Sequence, residues 1–281
     1  MEVDNLEAIE SKDRQIILIS VDSKYFRRHA TAWAWSVFQN SMYGHIHIIN
    51  PSKKDLYNAN AIYKNTKHQV SFSSDRFDRE ISKKNAFLAS SRFFVAKDFI
   101  DSYKKILITD ADSFFLRKFS FPKEEVGIFI REPLSSEPNW VREGTRVASG
   151  LISLCGEEGK LFIDQVVTNI KQQAQVLGWK WFIDQFCIWK TYLEFTEKDP
   201  RISFHLFSEK DLDWNFNKDS VLWTGKGSRK DLSERYIKKK KELELDYLAS
   251  TKVKPKRYLF LDFYDSISRN LTFFPIFKRK L

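Results

Sequence analysis

Short apolar runs that alternate with helical segments constrain the fold of this chain more than any other feature. They are rich in β-branched residues, too short for helices, and occupy residues 16–19, 46–49, 106–109, 126–130 and 151–154. Runs of this kind predict strands that are buried on both faces, as in parallel sheets. The alternation therefore predicts an α/β fold in which helices cover both sides of a mostly parallel central sheet.

Helical spacing of apolar side chains marks the segments between these runs. It predicts helices over residues 25–40, 81–103, 157–177 and 179–195, with Gly178 separating the last two. The polar stretch 52–79 shows no clear periodicity, so no regular element is assigned to it. Because ligands of open α/β sheets bind at the carboxyl ends of strands, the residues that follow the predicted strands are the first candidates for a site.

Composition limits the class of protein further. With 281 residues and 42% hydrophobic side chains, the chain can bury a core and does not belong to the disordered proteins. No window comes near the roughly 18 apolar residues of a membrane-spanning helix, and the first residues are acidic and polar, unlike a secretory signal. We therefore expect a cytoplasmic protein, and leave open a peripheral contact with the inner face of the membrane.

Cysteine and glycine usage excludes several kinds of site. Cys155 and Cys187 are too few for a disulfide scaffold and lack the C-x-x-C spacing of zinc and redox sites, so we expect two reduced thiols in the core. Only 9 glycines occur, and neither G-x-G-x-x-G nor G-x-x-x-x-G-K-[ST] is present. The sequence thus excludes glycine-loop dinucleotide sites and P-loop sites.

An excess of positive charge indicates a polyanionic partner. Lys and Arg total 47 against 37 Asp and Glu, and much of the excess lies in residues 238–241, 252–257 and 278–280. Nucleic acids, anionic membrane surfaces and phosphorylated substrates all respond to such a field. The lysine run fits a solvated helix face, and the aromatic and basic end 273–280 fits either an interfacial anchor or a segment packed on the domain.

Two carboxylates, Asp110 and Asp112, follow the apolar run 106–109. At positions i and i+2 of an extended chain they point to the same side and repel each other, which raises a pKa unless a cation lies between them. Carboxylate oxygens favour Mg²⁺ or Mn²⁺, and such an ion completes its shell with waters and substrate phosphates. The segment thus predicts a site for a metal and a nucleotide diphosphate; the alternative is an ordinary Asp-containing turn.

Further candidates carry polar groups in unusual surroundings. Asp184 and Gln185 lie in a strongly apolar helical segment, where a carboxylate either contacts a ligand or faces solvent. Asp22 ends the first predicted strand, where it either contacts a nucleoside or makes a turn. His45 and His47 alternate along a strand and are predicted to be structural.

Four stretches, in this order along the chain, resemble the GT-A glycosyltransferases, and in particular a family-eight-like bacterial or viral group of nucleotide-sugar transferases. The first is the apolar strand with Asp110-Ala111-Asp112, which Arg92 precedes on a helix. The second, residues 148–152, is similar to an Asn-small-Gly strand, and the third, residues 181–186, to an Asp-Gln element. The fourth, residues 222–230, is similar to an H-x-x-G-x-x-K segment.

For the metal, the resemblance implies that Asp110 and Asp112 are ligands of Mn²⁺ or Mg²⁺. Leu222 occupies the position of the usual third ligand, a His, and Leu cannot bind a metal. Three alternatives stay open: phosphates and water complete the shell, another residue such as Asp219 substitutes, or the dependence on metal is weak.

The other matched stretches imply contacts with the donor. Asp184 and Gln185 would act near the reacting carbon. Basic side chains stabilise the charge that develops on a leaving diphosphate, and glycines let the chain approach it closely, although segment 225–230 also fits an ordinary basic turn. The donor, a nucleotide-diphosphate sugar with UDP-sugar favoured, would be held by Arg92, Ala111, Ser149, Gly150, Gly225, Lys226, Gly227, Arg229 and Lys230, in addition to the two metal ligands.

These observations predict a GT-A-type α/β/α sandwich with an N-terminal tail (1–14), a catalytic domain (15–235) and a basic helical and aromatic extension (236–281). The predicted function is transfer of a sugar from a nucleotide-diphosphate donor to a saccharide or lipid-linked acceptor. Two alternatives remain: a basic protein that binds nucleic acid or anionic membranes, and a degenerate GT-A protein without turnover. The sequence shows no recognised nucleic-acid module, which counts against nucleic acid as the partner.

Overall fold

A computed structural model describes residues 14–77, 84–132, 137–198, 202–225, 227 and 229–251. The predicted tail 1–14 therefore lies almost wholly outside the described residues. The predicted extension 236–281 is described only as far as residue 251, so the aromatic and basic end is not covered.

The main sheet has seven strands in the order β3-β2-β1-β4-β7-β6-β8. Six of them run in one direction, and β7 is antiparallel to its neighbours β4 and β6. The predicted α/β class with a mostly parallel sheet is therefore confirmed. The strands are β1 (Gln15–Asp22), β2 (Gly44–Ile49), β3 (Val70–Asp75), β4 (Lys105–Thr109), β6 (Val126–Ile130), β7 (Val147–Cys155) and β8 (Phe204–Leu206), and β5 (Ser113–Phe115) belongs to a second sheet.

Helices cover both faces of this sheet. They are α1 (Ser23–Gln39), α2 (Lys53–Asn65), α3 (Lys84–Phe99), α4 (Asn139–Gly144), α5 (Gly156–Leu177), α6 (Ile183–Lys198), α7 (Arg229–Leu232) and α8 (Glu234–Ser250). The predicted helix from residue 179 begins later, because Phe182 has a φ of 71°, which an α-helix does not accommodate. The lysine run 238–241 lies on α8, as expected of a helix, and Lys239 and Lys240 pair with Glu242 and Glu244.

The structure adds two elements, α2 and β3, within the stretch 52–79 to which no element is assigned above. A capping box between Ser52 and Asp55 starts α2, and this helix buries only Asp55, Ala59 and Ile62. Strand β3 lies at the edge of the sheet, and Val70 is its one fully buried residue. Both elements bury few apolar side chains, which is why the hydrophobic pattern does not reveal them.

Two separate apolar cores lie on the two faces of the sheet. In β1, Ile17 and Ile19 join a core with α1 and α8, whereas Ile16 and Leu18 join a core with α3 and α5. This alternation explains the uninterrupted apolar run of β1, since every one of its central side chains is covered. Both cysteines are free thiols. Cys187 is buried in the core as predicted, whereas Cys155, at the end of β7, is only half-buried, so the predicted core position is wrong for Cys155.

A second sheet of three short strands, in the order β5-β10-β9, packs beside the main one. It contains β9 (Leu212–Asp213) and β10 (Leu222–Thr224), and Thr224 pairs with Ser113 of β5. The second sheet thereby brings the segment after residue 222 alongside Asp112. Within the described ranges, no helix combines the length and apolar character needed to cross a bilayer.

His45 and His47 lie in a buried network between β2 and β3, consistent with a structural role. His45 hydrogen-bonds with Ser71 Oγ at 2.9 Å and with Ser73 Oγ at 2.8 Å, and His47 hydrogen-bonds with Ser73 Oγ at 2.9 Å. Burial, together with the neighbouring His47, lowers the pKa of His45 from 6.5 to about 3. His45 is therefore neutral in the folded protein.

We expect this histidine to make folding sensitive to acid. Its folded pKa lies below the unfolded one, so the unfolded chain binds more protons between pH 6.5 and about 3, and stability falls as the pH drops through that window. Urea unfolding of the wild type should lose about 2 kcal/mol more between pH 7 and pH 5 than unfolding of His45→Gln. The exposed His68 supplies the control, since His68→Gln should keep the wild-type loss. Equal losses in His45→Gln and the wild type would contradict this account.

Candidate active site

The order of the strands creates a crevice between β1 and β4. From β1 the chain adds β2 and β3 on one side, and then crosses through α3 to place β4 on the other side. Such a reversal of strand order leaves room for a ligand at the carboxyl ends of the two central strands. Asp22 ends β1 and Asp110 follows β4, so both predicted residues border this crevice.

Arg92 of α3 is the centre of a buried polar cluster. Its guanidinium donates to the Asp110 carboxylate, to Ser149 Oγ at 2.9 Å and to Asp184 Oδ2 at 3.3 Å. Burial opposes the positive charge, and the carboxylates of Asp110 and Asp184 outweigh this effect, so the pKa of Arg92 is raised. The structure thus brings together four predicted site residues from α3, the end of β4, β7 and α6.

Gly150 makes the position of Asp110 possible. A Cβ atom at position 150 would lie 2.2 Å from Oδ2 of Asp110, which no real contact allows. On its other side the same oxygen accepts a hydrogen bond of 3.4 Å from the Thr224 hydroxyl. Ala111, the residue between the two aspartates, turns into the apolar core and is almost fully buried. The predicted glycine therefore has a steric role at the carboxylate.

Asp112 is fixed through its backbone and its carboxylate. Its carbonyl oxygen accepts hydrogen bonds from the Gly225 N–H at 2.9 Å and from the Tyr236 hydroxyl at 2.7 Å. Its carboxylate accepts from Lys230 Nζ, which also donates to the Tyr25 hydroxyl at 2.6 Å. The second sheet, α7, α8 and the start of α1 therefore all meet at this residue.

The two aspartates are electrostatically coupled although each has its own cation. Burial and the negative charge of Asp110 raise the pKa of Asp112 to about 6, despite the opposing effect of Lys230. The raised pKa agrees with the prediction from the i and i+2 spacing. Arg92 pairs with Asp110, and Lys230 pairs with Asp112.

The donor atoms at this position suit a hard divalent cation. Asp110 and Asp112 supply carboxylate oxygens and Thr224, which donates to Asp110, supplies a hydroxyl, and Mg²⁺ and Mn²⁺ prefer oxygen ligands. No group of three acidic, His or Cys residues suitable for a metal occurs in the part of the chain that the structure describes. Leu222 is fully buried in the core, and Asp219 is exposed and pairs with Arg117 at 3.2 Å. Water and phosphate would have to complete the shell.

The predicted diphosphate segment is described in part. Lys226 lies outside the described residues, and only the backbone of Arg229 is described, as the first residue of α7. Gly227 adopts a left-handed backbone with a φ of 58°. A Cβ at Gly225 would lie 2.6 Å from Cβ of Lys230, so this glycine lets the lysine stem pack against the chain. Of the three predicted basic residues, the structure places Lys230 at the site.

Asp22 and Gln185 each lie at the start of a helix. Asp22 caps α1 by accepting a hydrogen bond of 2.9 Å from the Tyr25 N–H, which is the turn role considered above. Gln185 follows Asp184 in the first turn of α6, and its Oε1 is buried and has no hydrogen-bond partner among the described residues. The αL backbone of Phe182 directs α6 so that its first turn meets Arg92.

Three residues of the site were missed by sequence reasoning. Tyr25, Thr224 and Tyr236 contact Lys230, Asp110 and Asp112 respectively. Tyr25 had a usable signal, because it follows Asp22 at the end of a predicted strand. Thr224 lies in the matched segment 222–230, and Tyr236 lies in the predicted helical extension. Their contacts with the two aspartates depend on the pairing of β10 with β5 and on the packing of α8, which no local pattern reveals.

Comparison with known proteins bears on the fold. No protein-family model and no curated protein matches the chain. A crystal structure of galactosyltransferase LgtC, in complex with donor and acceptor sugar analogs, is similar with a TM-score of 0.58 and 12% identity over 87% of this chain and 98% of that chain. An active-site mutant of LgtC gives a TM-score of 0.57 with 12% identity over the same 87% and 98%. The chain has the GT-A fold.

A third match extends the comparison. GlyE, a glycosyltransferase from Streptococcus pneumoniae, has a TM-score of 0.53 and 13% identity over 90% of this chain and 65% of that chain. Identities this low establish the shared GT-A fold alone. The crevice between β1 and β4 is where open α/β sheets bind ligands, so the Arg92 cluster lies at the ligand-binding edge of its fold.

Proposed function

We propose that the protein is a glycosyltransferase that moves a sugar from a nucleotide-diphosphate donor to a saccharide or lipid-linked acceptor. The observation that carries this proposal is the arrangement of Arg92, Asp110, Asp112, Asp184 and Lys230 at one crevice. Segments far apart in sequence converge there, and a structural role alone does not require so many buried charges. The match to LgtC in complex with donor and acceptor sugar analogs supports the same function.

Lys230 would neutralise the leaving diphosphate. Negative charge develops on this group as its bond to the sugar breaks, and a cation held in place beforehand stabilises it. In the structure Lys230 is 10% exposed and pairs with Asp112, so the ammonium would turn from the carboxylate toward phosphate. Lys226 and Arg229 are proposed as further phosphate ligands, together with the backbone at Gly225 and Gly227.

Asp110 and Asp112 would hold Mn²⁺ or Mg²⁺. The bound metal ion would offset the negative charge of the diphosphate. One oxygen from each carboxylate and the hydroxyl of Thr224 suffice for an ion that normally keeps waters and substrate phosphates in its shell. Asp219, in contrast, is almost fully exposed and pairs with Arg117, so it is not the favoured additional ligand.

The sugar of the donor would lie against the Arg92 cluster. Ser149, Gly150 and Asp184 surround the guanidinium, and Gln185 contributes a carbonyl oxygen that has no partner among the described residues. Buried polar groups of this kind find partners, and sugar hydroxyls both donate and accept hydrogen bonds. We assign to Asp184 and Gln185 the position beside the reacting carbon.

The nucleoside would occupy the β1 side of the crevice. Asp22 closes β1, and Tyr25, whose hydroxyl contacts Lys230, is 37% exposed. A partly exposed ring beside a phosphate-binding cation can stack on a base. A UDP-sugar is the favoured donor.

A thermal-shift panel tests the donor site. UDP, GDP, CMP and their sugars would each be added with and without Mn²⁺, because a ligand that binds only the folded state raises its stability by about 2.7 kcal/mol at one hundred times its dissociation constant. We expect a Mn²⁺-dependent shift with one nucleotide, its loss in Asp110→Asn and its retention in Asp219→Asn. The second variant is the matched control, since it neutralises an exposed carboxylate instead of a site carboxylate.

Two other results would contradict the proposal. In one such result, no donor shifts the melting temperature, whereas duplex DNA or heparin shifts it in a salt-sensitive way. This result would indicate a basic binding protein. A donor shift without transfer or hydrolysis of the sugar would indicate a degenerate GT-A protein.

A further inference from the structure

A second concavity, with a volume of about 560 Å³, lies between α4 and α6. We name it the α4–α6 groove. Its walls include Glu132, Arg142, Glu143, Arg146, Trp189 and Leu193, and none of these belongs to the Arg92 cluster. The proposed function leaves this groove without a role.

The charges of the α4–α6 groove balance. Two glutamates and two arginines line it, and Arg146 pairs with Glu132 at 3.6 Å. A site for a polyanion needs an excess of cations, and a site for a cation needs the reverse. Fixed donors and acceptors without net charge instead suit a neutral ligand that offers many hydroxyl groups.

Trp189 is held rigidly in this groove. The Arg146 guanidinium carbon lies 5.5 Å from the centre of the indole ring, and the Tyr192 ring stacks on it at 5.3 Å with an interplanar angle of 25°. Arg146 Nε is buried and has no hydrogen-bond partner within the described part of the chain. Because the fold already orders these side chains, a ligand would lose little affinity to their immobilisation.

The α4–α6 groove and the candidate active site share helix α6. Gln185, Trp189 and Leu193 are spaced by four residues and therefore share one side of the helix. Each step corresponds to a rise of about 6 Å, so Trp189 lies one turn and Leu193 two turns beyond Gln185. In the opposite wall, Arg146 comes three residues before Ser149 of β7, which accepts a hydrogen bond from Arg92.

We propose that the α4–α6 groove binds a sugar residue of the acceptor glycan, beyond the residue that receives the transferred sugar. This inference rests on the proposed function, and it restricts the acceptor to a neutral oligosaccharide chain. Trp189 and Leu193 contribute apolar lining that can contact the C–H groups of a sugar, and Arg146 with Glu132 provides hydrogen bonds to its hydroxyls. The enzyme thereby recognises chain length as well as the terminal residue.

Binding of neutral oligosaccharides tests the inference without knowledge of the acceptor. Arrayed di- to hexasaccharides of galactose, glucose, mannose and N-acetylglucosamine would be probed with the wild-type protein, Trp189→Ala, Arg146→Met and Tyr57→Ala. Tyr57 is the matched control, since it is 69% exposed and lies on α2. We expect at least a roughly tenfold loss of binding in Trp189→Ala and Arg146→Met, and none in Tyr57→Ala.

The donor thermal shift, measured on the same variants, separates this inference from the proposed function. It should remain unchanged in Trp189→Ala, which also shows that the variant is folded. Oligosaccharide binding that survives Trp189→Ala, or a wild-type protein that binds no neutral oligosaccharide, would overturn the inference while the donor site stands. If no donor shifted the melting temperature of the wild type, the proposed function would be overturned instead.

Discussion

Replacing Arg92 by methionine is expected to lower the free energy of unfolding by about 3–5 kcal/mol, as for other buried ion pairs that lose one partner. The substitution leaves the carboxylates of Asp110 and Asp184 without their shared cation, and the Asp184 side chain is only 7% exposed. It also removes the hydrogen bond to Ser149 Oγ. Urea unfolding, followed by far-UV circular dichroism, measures the loss.

An exposed arginine provides the control for this prediction. Arg117 also pairs with an aspartate, but its side chain is 55% exposed and that of Asp219 is 98% exposed. Arg117→Met should therefore change the free energy of unfolding by less than about 1 kcal/mol. Arg92→Lys should be intermediate, because it keeps the charge and loses the fork of donors. If Arg92→Met and Arg117→Met were equally stable, the buried cluster would not have the electrostatic role assigned to it.

Replacing Lys230 by methionine is expected to reduce the rate of donor turnover by about 10²–10³-fold, the usual effect of removing one group that stabilises developing negative charge. Acceptor-independent hydrolysis of the donor sugar provides the assay, so no acceptor need be known. The same variant should bind Mn²⁺ more tightly when no donor is present, because the ammonium no longer occupies Asp112. Electron paramagnetic resonance of free Mn²⁺ at pH 8 measures this affinity in the wild type and in the variant.

A lower turnover together with a higher Mn²⁺ affinity in Lys230→Met would distinguish this role of Lys230 from simple damage to the fold. Lys238→Met on α8 serves as the control, because Lys238 is exposed and its substitution removes the same charge from the protein. It should leave turnover and Mn²⁺ affinity unchanged. If Lys230→Met lost turnover and Mn²⁺ affinity together, Lys230 would be a support for the carboxylates and not a group that exchanges between carboxylate and phosphate.

Much of the fold could be predicted because its central strands are buried on both faces. The run in β1 fills both cores, so its pattern is continuous and easy to recognise. At the edge of the sheet, β3 buries only Val70, and α2 owes its start to the Ser52–Asp55 capping box instead of an apolar stripe. Elements that contribute little to the core leave little hydrophobic pattern in the sequence.

In the candidate site, too, the residues with a local sequence pattern could be predicted, and the long-range contacts could not. Asp110 and Asp112 are recognisable because they directly follow an apolar strand, and the negative charge of Asp110 contributes to the raised pKa of Asp112, as their spacing predicts. The bond between Arg92 and Asp184 joins residues 92 positions apart, and no local spacing reports such a contact. Thr224 reaches Asp110 only because β10 pairs with β5. Long-range pairing, and not residue type, determined what sequence reasoning missed.

The position of β10 in the chain has a consequence for the order in which the protein matures on the ribosome. All seven strands of the main sheet precede residue 207, whereas Thr224, Lys230 and Tyr236 follow it. Since chains emerge from their N-terminus and fold as they are synthesised, the Arg92 cluster can form while Asp112 still lacks its partners. A nascent chain that stops before residue 230 would hold the main sheet and half of the crevice. The proposed donor site would thus be completed later in translation than the main sheet that supports it.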